Sequence, residues 1–275
     1  MAGQLEGKSA VVLGAASKDN MGQTTARLFA KEGAKVMVAG RNEDTLAELA
    51  KEIGGAHAVC DITSHEQVHA LADKAASEFG RVDAAVNCTG WGLLANTLEV
   101  TQEQLDQITD LQFKGVHHFV QAFVKVMSEQ EPSGGSIISL SSATTKAVIN
   151  NHMAYIASKR AGEAMMECVA NDFGHLGIRA NTVSPAFTES PMTHDAFATP
   201  GIVDAFLPRY PLGRLNTSMD VANACLWLCT DNAFVTGQNI QPNGGLTLRG
   251  NPQAKDIEAA VGAAMARQQE GGASA

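Results

Sequence analysis

The sequence has few of the features that direct a chain to a membrane, to nucleic acid or out of the cell. It carries 20 lysines and arginines against 29 aspartates and glutamates, and the net charge of −9 disfavours nucleic-acid or anionic membrane partners. No apolar run is long enough to span a bilayer. The first residues, Met1 to Gly7, show neither the basic start nor the apolar core of a signal peptide. We therefore expect a cytoplasmic protein.

Cysteine and aromatic residues are also scarce. The cysteines are odd in number and form no Cys-x-x-Cys pair; they are Cys60, Cys88, Cys168, Cys225 and Cys229. We expect them to be reduced and mostly buried, as is usual in the cytoplasm. Aromatic residues make up 5% of the chain, whereas hydrophobic residues make up 45%. This composition is typical of a globular domain in which helices pack closely on a sheet.

Short apolar runs alternate with helical patterns along most of the chain. Strands are predicted over residues 10–13, 35–39, 56–60, 82–86, 136–140, 178–183 and 238–241. Helices are predicted over residues 23–32, 43–53, 65–79, 102–128, 153–173 and 219–228. Strands joined by crossover helices predict an α/β fold, a Rossmann-type, doubly wound parallel sheet of about seven strands with helices on both faces.

No linker interrupts this series, so a single domain is predicted over residues 1–250. Residues 251–275 have a different composition and are predicted to form a tail. Within it we expect a short helix over residues 255–267 and disorder over residues 271–275.

A glycine loop follows the first predicted strand and opens the first predicted helix. Small residues from Gly14 to Gly22 would let the backbone approach a pyrophosphate at a helix N-terminus. The alternative is a tight turn between strand and helix that binds nothing. The predicted cofactor contacts in this loop are Gly14, Ser17, Lys18, Asn20, Met21 and Gly22.

The end of the second predicted strand indicates which dinucleotide binds. An acidic residue at this position would bind the ribose hydroxyls of NAD, but the chain has Gly40 and Arg41. Arg41 can pair with a ribose phosphate, and Lys18 is a second candidate. NADP(H) is therefore predicted in preference to NAD(H). The alternative is that Arg41 is only a solvated residue at a helix start.

Tyr155 and Lys159 are spaced four residues apart on a predicted helix and therefore share one face. A cation about 5 Å from a phenol, at an effective dielectric of roughly 20, favours the phenolate by about 3 kcal/mol. This effect predicts a lowered pKa for Tyr155 and a useful proton donor and acceptor. Ser142, upstream, can donate a hydrogen bond to a substrate oxygen. Together the three residues predict proton transfer at a carbonyl or alcohol oxygen.

These residues make the chain resemble the short-chain dehydrogenase/reductase family from about Leu5 to Leu248. The matching residues are the loop from Gly14 to Gly22, Asp61, Asn87-Cys88-Thr89-Gly90, Ser142, Tyr155, Lys159, Ser184-Pro185-Ala186, Gly237-Gln238 and Gly244-Gly245. Within the family, the chain is similar to carbonyl reductases of the 3-oxoacyl-carrier-protein reductase type. The resemblance implies hydride transfer between NADP(H) and a ketone or secondary alcohol. It also implies a homo-oligomer, a tetramer or a dimer, with the helices from about Gln102 and Met153 at one interface.

The resemblance implies roles for the matching positions. Tyr155 would be the general acid/base, Lys159 would lower its pKa and hold the nicotinamide ribose, and Ser142 would orient the carbonyl. Further cofactor contacts are implied for Asp61 and Ile62 at the adenine, Asn87, Cys88 and Gly90 in the cleft, and Pro185, Ala186 and Thr188 beside the nicotinamide.

The chain departs from the family pattern in several places. The glycine loop is two residues longer and lacks its middle glycine, Cys88 and Thr89 replace the usual residues after Asn87, and Ala186 replaces a glycine. Gln112 stands where family members carry an asparagine that supports a water-linked proton relay. A relay with shifted geometry and an impaired relay are both open, and Gln112 is counted among the candidate catalytic residues.

Two other functions are weighed against carbonyl reduction. The length of the glycine loop resembles that of enoyl-carrier-protein reductases, but those enzymes space their tyrosine and lysine more widely. They also carry a second tyrosine upstream, where this chain has Val148. The other alternative is a non-catalytic NADP-binding protein on the same fold.

The segment 188–216 is predicted to be a substrate lid because it is long, apolar and rich in proline. Four residues are weak candidates for substrate contact: Trp91, Ile149, His152 and Met192. Packing between lid and core is an equally good interpretation of these four.

No metal is predicted, although His65 to His69 matches the His-Glu-x-x-His pattern of zinc proteases. No third ligand is evident in the sequence. Thr63 and Glu66 fit a capping box, which explains the glutamate without a metal.

Overall fold

A parallel sheet forms the centre of the computed structural model, which describes residues 3–272. In that part of the chain seven strands pair in the order β3-β2-β1-β4-β5-β6-β7, and every pairing is parallel. The strands are β1 Ser9–Leu13, β2 Lys35–Gly40, β3 Ala56–Val59, β4 Ala84–Asn87, β5 Gly135–Leu140, β6 Ile178–Val183 and β7 Asn239–Ile240. The predicted α/β fold is confirmed.

Helices cover both faces of this sheet. They are α1 Met21–Lys31, α2 Glu43–Ile53, α3 His65–Phe79, α4 Gln102–Thr109, α5 Gly115–Glu129, α6 Met153–Phe173, α7 His194–Ala198, α8 Ile202–Phe206, α9 Ser218–Cys229, α10 Leu246–Arg249 and α11 Ala254–Gly272. The apolar strands explain the two layers, since alternate residues of each strand point to opposite faces. Val11 and Leu13 pack against α3, α5 and α6, while Ala10 and Val12 pack against α1, α2 and α9.

The strand order reverses between β1 and β4, and this reversal creates the crevice that holds the site. The two strands run side by side with Leu13 paired to Asn87, so the loops that follow them open apart from each other. In open parallel sheets a ligand binds at this position, beyond the carboxyl ends of the strands.

Two local expectations need correction. The predicted helix over residues 102–128 is interrupted by a π-helical turn, Asp110–Lys114, between α4 and α5. The side chain that caps α3 is Ser64, which accepts from the amide of Gln67, so the capping box of Thr63 and Glu66 is wrong. Thr63 instead donates its hydroxyl to Asp61 at 2.8 Å.

The last helix is longer than expected from the sequence. It continues to Gly272 rather than ending near Arg267. Of the segment for which disorder was expected, residues 273–275 lie outside the described residues. No helix among residues 3–272 combines the length and hydropathy that a membrane span requires.

Candidate active site

Tyr155 and Lys159 lie in the first turns of α6, and Ser142 lies just beyond the end of β5. The Lys159 ammonium lies 6.0 Å from the centre of the Tyr155 ring. Ser142 begins the short 3₁₀ turn Ala143–Thr145 and lies close enough to the Tyr155 phenol to lower its pKa. The fold therefore brings together the three side chains that the sequence singled out.

The environment of Ser142 sets the direction of its hydrogen bond. Its Oγ accepts from the amide of Thr144 at 3.2 Å and from the hydroxyl of Thr144 at 2.9 Å. Because both bonds use lone pairs of Oγ, the Ser142 proton is free to be donated toward the phenol or toward a substrate oxygen. Thr144 thus orients Ser142, a role that no sequence pattern indicated.

Lys159 is only 8% exposed and approaches the crevice from within the fold. Its Nζ donates to the carbonyl oxygen of Leu140 at 2.8 Å and to that of Thr89 at 3.4 Å. Burial lowers the pKa of Lys159 to about 8, since desolvation disfavours the charged form. The side chain still carries its charge at neutral pH.

Burial also acts on Tyr155, in the opposite direction from the one expected. It raises the pKa of the phenol, because the phenolate loses its hydration, while the hydroxyl of Ser142 partly opposes the rise. The expected lowering by Lys159 is not seen, since the ammonium is directed at the carbonyl oxygens of Leu140 and Thr89. Tyr155 is consequently protonated at neutral pH.

Gln112 is buried in the π-helical turn and joins two parts of the site. Its Oε1 accepts from the amide of Trp91 at 3.0 Å, and its Nε2 donates to the Ser158 hydroxyl at 2.7 Å. Ser158 in turn donates to the carbonyl oxygen of Tyr155 at 2.9 Å. Gln112 therefore connects the loop after β4 to the helix that carries Tyr155.

The crevice is a cavity of about 1300 Å³ that includes most of the predicted site residues. This volume exceeds that of an ordinary small-molecule site and is suited to a dinucleotide with a substrate beside it. The predicted residues that line it are Gly14, Ser17, Asn20, Met21, Arg41, Asp61, Ile62, Cys88, Gly90, Trp91, Ser142, Ile149, His152, Tyr155, Pro185, Ala186, Thr188 and Met192.

The other predicted residues lie outside this lining. Lys18 is exposed, whereas Gly22, Asn87, Gln112 and Lys159 are buried behind the surface of the crevice. Asn87 holds the loop after β4 by accepting from the amide and the hydroxyl of Thr89, at 3.0 and 2.8 Å.

The glycine loop fits a pyrophosphate. A Cβ on Gly14, which has φ +98°, would lie 2.8 Å from the carbonyl carbon of Cys88, so only glycine permits this close approach. A Cβ on Gly22 would lie 2.6 Å from the carbonyl oxygen of Gly14. The first turn of α1 contains no acidic residue, and its N-terminus favours an anion.

The longer loop is closed by its own side chains. Asn20 caps α1 by accepting from the amide of Gln23 at 2.9 Å, and its Nδ2 donates to the carbonyl oxygen of Gly14 at 2.8 Å. Asp19 adopts a positive φ of 57°, which accommodates the turn of the longer loop. Arg41 lies exposed on the same cavity, where a ribose phosphate could reach it. The residues present therefore fit a nicotinamide dinucleotide, including its phosphorylated form.

The sequence patterns did not indicate a partly buried hydrogen-bond network around Glu163. Its Oε1 accepts from the hydroxyls of Ser141 and Thr145 at 2.6 and 2.7 Å, and from the amide of Asn239 at 2.6 Å. These bonds fix the turn that carries Ser142 to α6. The position of Glu163, four residues after Lys159, was the available signal.

The segment proposed as a lid contains short helices held by aromatic contacts. The Phe187 ring stacks on those of Phe197 and Phe206, with centroids 4.4 and 4.3 Å apart. The hydroxyl of Tyr210 donates to the carbonyl oxygen of Phe187 at 2.9 Å. Met192 approaches the loop after β4, since a Cβ on Gly92 would lie 3.2 Å from its sulfur.

The residues of the His-Glu-x-x-His segment do not line the crevice. The Nε2 atoms of His65 and His69 lie 3.1 and 3.4 Å from Oε1 of Gln121. Across residues 3–272 no three histidine, cysteine, aspartate or glutamate side chains are grouped as metal ligands would be.

Known proteins match this chain over most of its length. A family model described as enoyl-(acyl carrier protein) reductase matches residues 14–247. D-threitol dehydrogenase of Mycolicibacterium smegmatis is 32% identical over 90% of this chain and 95% of its own length. The 3-oxoacyl-[acyl-carrier-protein] reductase FabG of Thermotoga maritima is 33% identical over 89% of this chain and 100% of its own.

Solved structures agree with these matches. A gluconate 5-dehydrogenase from Burkholderia cenocepacia, in complex with NADP and tartrate, has a TM-score of 0.84 and 27% identity, covering 89% of this chain and 96% of that one. A 3-ketoacyl-(acyl-carrier-protein) reductase from Brucella melitensis, complexed with NADH, has a TM-score of 0.81 and 28% identity, covering 88% of this chain and 99% of that one.

Proposed function

The chain belongs to the short-chain dehydrogenase/reductase family, and on that premise we propose that it transfers hydride between NADP(H) and a ketone or secondary alcohol. The observation that carries this proposal is the arrangement of Ser142, Tyr155 and Lys159. A phenol with its proton and a hydroxyl donor line a crevice that fits a dinucleotide, and a buried ammonium lies 6.0 Å from the phenol ring.

Each side chain has a distinct part in carbonyl reduction. Ser142 donates a hydrogen bond to the carbonyl oxygen and orients it. Tyr155, protonated at neutral pH, gives its proton to that oxygen as negative charge develops there. The Ser142 hydroxyl, which lowers the pKa of the phenol, stabilises the phenolate that remains, and Lys159 would hold the nicotinamide ribose. A bound NADPH supplies the hydride, which no side chain of the protein can provide. In alcohol oxidation the same groups act in reverse.

Gln112 is assigned a positioning role rather than contact with the reacting atoms. Its hydrogen bonds reach Trp91 and Ser158, on either side of the crevice floor. A Cβ on Gly90 would lie 3.2 Å from Oε1 of Gln112 and 3.3 Å from Nζ of Lys159, so the floor is closely packed. The geometry of Gln112 therefore influences where Lys159 and Tyr155 lie.

The preference for NADP(H) rests on Arg41. Arg41 lines the crevice just after β2. Neither position 40 nor position 41 carries an acidic residue that could bind the ribose hydroxyls of NAD. Relatives of known structure were solved with NADP and with NADH, so either cofactor suits the fold. Lys18 is exposed outside the lining and is the weaker candidate for the phosphate.

Enoyl-thioester reduction is the second candidate, favoured by the description of the matching family model. The spacing of Tyr155 and Lys159 and the presence of Val148 instead of a second tyrosine favour carbonyl chemistry. A non-catalytic NADP-binding protein would need no ordered Ser142, Tyr155 and Lys159, so this alternative ranks last.

We also propose a homo-oligomer, a tetramer or a dimer, in which α4, α5 and α6 form an interface. Three apolar side chains on these helices and the π-helical turn are exposed and could be covered by a second copy: Leu105, Phe113 and Met153, at 41%, 44% and 51%. Light scattering of the purified protein measures its mass directly. The five free cysteines suit a reducing compartment such as the cytoplasm.

The function is tested by following absorbance of NADPH and NADH with purified protein and a panel of ketones, enones and thioesters. We expect ketone-dependent oxidation of NADPH at a kcat/KM above that with NADH. Turnover of enoyl thioesters alone would favour the second candidate. Tight cofactor binding without turnover of any class would contradict catalysis.

A further inference from the structure

The last helix, α11, lies beyond the matched region yet packs against the lid. The family model ends at residue 247, and α11 begins at Ala254. A Cβ on Gly201, which precedes α8, would lie 2.4 Å from the carbonyl oxygen of Ala260, so the backbones of the lid and of α11 touch. Ile257 joins an apolar cluster with Phe206 and Tyr210 of the lid.

Polar contacts fix the start of α11 against the loop between Ser142 and Tyr155. Asn251 donates its side-chain amide to the carbonyl oxygen of Ala147. The amide of Ala254 donates to the side chain of Asn150 at 2.9 Å. Asp256 pairs with Arg209 of the lid at 3.0 Å. The helix is therefore attached on both sides of the crevice mouth.

This attachment makes α11 part of the crevice lining. Ala254, Ile257 and Glu258 line the same cavity as Ser142 and Tyr155. On the lid side the lining continues with Phe187, Ile202 and Phe206. A substrate carbonyl held at Ser142 would thus extend toward a wall whose outer part is α11.

Negatively charged side chains outnumber positively charged ones on the lining of the cavity. Five carboxylates line the cavity: Asp61 lies where the adenine is proposed to bind, and Glu103, Asp106, Asp110 and Glu258 lie elsewhere on the lining. Among the described lining residues Arg41 is the only lysine or arginine, and it lies at the end of β2, where the cofactor is proposed to bind. Lys114 pairs with Asp110 at 2.8 Å, and the other carboxylates would repel an anionic substrate.

We propose that α11 is the specificity wall of this enzyme, and that Ile257 and Glu258 restrict it to compact, uncharged or cationic ketones and alcohols. This inference rests on the proposed function and narrows it. The relatives include both a sugar-alcohol dehydrogenase and an acyl-carrier-protein reductase. A thioester on a phosphate-bearing carrier is large and polyanionic, and the wall disfavours it on both counts.

The size of the pocket is tested with Ile257→Phe and Ile257→Ala in the full-length protein. Ala263→Phe is the matched control, because Ala263 is exposed on α11 and does not line the cavity. Against cyclic ketones, Ile257→Phe should raise KM by about tenfold and Ile257→Ala should lower it for the bulkiest ones, since one or two carbons in an apolar pocket have this effect. The NADPH Kd should stay constant in all three variants.

The charge of the wall is tested with Glu258→Lys. At low ionic strength this variant should raise kcat/KM for acetoacetyl-coenzyme A by at least about threefold and leave a neutral ketone unchanged. Added salt should remove the difference, because it screens exposed charges. Wild-type protein that prefers acetoacetyl-coenzyme A to every neutral ketone would overturn the proposal.

A binding measurement separates this proposal from the proposed function. Trp91 lines the crevice, and its fluorescence reports ketone binding in the presence of NADP⁺, with Trp91→Phe to assign the signal. Ketone affinity that falls in Ile257→Phe but not in Ala263→Phe supports the wall even if no turnover is found. Equal ketone affinities and equal KM values in both variants would overturn it, whether or not the enzyme turns over.

Discussion

At the scale of single residues, the site depends on a charge that the fold solvates poorly. Lys159 is buried with two carbonyl partners and no carboxylate, and its pKa falls from 10.5 to about 8. A shift of this size corresponds to about 3 kcal/mol of folding free energy, on an order-of-magnitude basis. The protein is therefore expected to lose stability in order to hold a cation beside Tyr155.

Replacing Lys159 with methionine should abolish turnover and change how stability depends on pH. The unfolded chain keeps the lysine proton up to pH about 10.5, whereas the folded protein releases it near pH 8. Wild-type stability relative to Lys159→Met should consequently rise by up to about 3 kcal/mol between those two pH values. Urea unfolding of both proteins at pH 7 and pH 10 measures this difference. A difference that is the same at both pH values would contradict the burial of the charge.

The sequence revealed the identities of the key residues better than their ionisation. Ser142, Tyr155 and Lys159 could be placed together because helix spacing and strand ends are local geometry. The rise in the pKa of Tyr155 could not be predicted, because it depends on how fully distant segments bury the phenol. The donors on Glu163 likewise include Ser141 and Thr145, which follow β5, and Asn239 in β7, which is distant in sequence.

At the scale of elements, the π-helical turn between α4 and α5 is the decisive irregularity. The extra residue in this turn accompanies the burial of Gln112, whose amide spans from Trp91 to Ser158. Such turns are frequent at functional sites. The apolar pattern predicted a helix over this region, but a single extra residue leaves little trace in hydrophobic periodicity.

Replacing Gln112 with leucine should destabilise the protein by about 1–3 kcal/mol, since the partly buried amide of Trp91 and the buried hydroxyl of Ser158 lose a partner. Gln112→Asn keeps the amide but is one methylene shorter, so it should retain one contact and an intermediate stability. Gln102→Leu, on the exposed first turn of α4, should change stability by less than about 0.5 kcal/mol.

Urea unfolding and steady-state kinetics of these variants give the required comparison. As a positioning residue, Gln112 should affect kcat more than the NADPH Kd, and asparagine should rescue part of the loss. Equal loss of kcat in the asparagine and leucine variants would contradict the positioning role.

At the scale of the whole molecule, the crevice at the strand reversal couples cofactor binding to folding. A ligand at 100 times its Kd stabilises a folded protein by about 2.7 kcal/mol, which for a chain of this size is a rise in Tm of roughly 5–10 °C. NADP⁺ should produce this shift at a lower concentration than NAD⁺. Arg41→Asp should reverse the order, and Lys18→Ala should preserve it. Thermal unfolding with both nucleotides checks the prediction, and an unchanged order in Arg41→Asp would contradict the role of Arg41.

The architecture could be predicted from the sequence because each strand and crossover helix has its own local pattern. The alternation of apolar strands with helices was enough to predict the confirmed parallel sheet. The place of α11 could not be predicted in this way. Its alanine-rich sequence has no strong apolar face, and its position depends on Asn251, Asp256 and Gly201 meeting partners elsewhere in the fold.

The measurement that tests the account most directly compares the two tyrosines of the chain. Tyr155→Phe should bind NADPH with a Kd within about threefold of wild type and lose turnover by at least about a hundredfold, since it removes the proton donor. Tyr210→Phe removes the hydroxyl that donates to Phe187 and should keep turnover within about tenfold of wild type. Ketone-dependent NADPH oxidation that is unchanged in Tyr155→Phe would contradict the proposed mechanism.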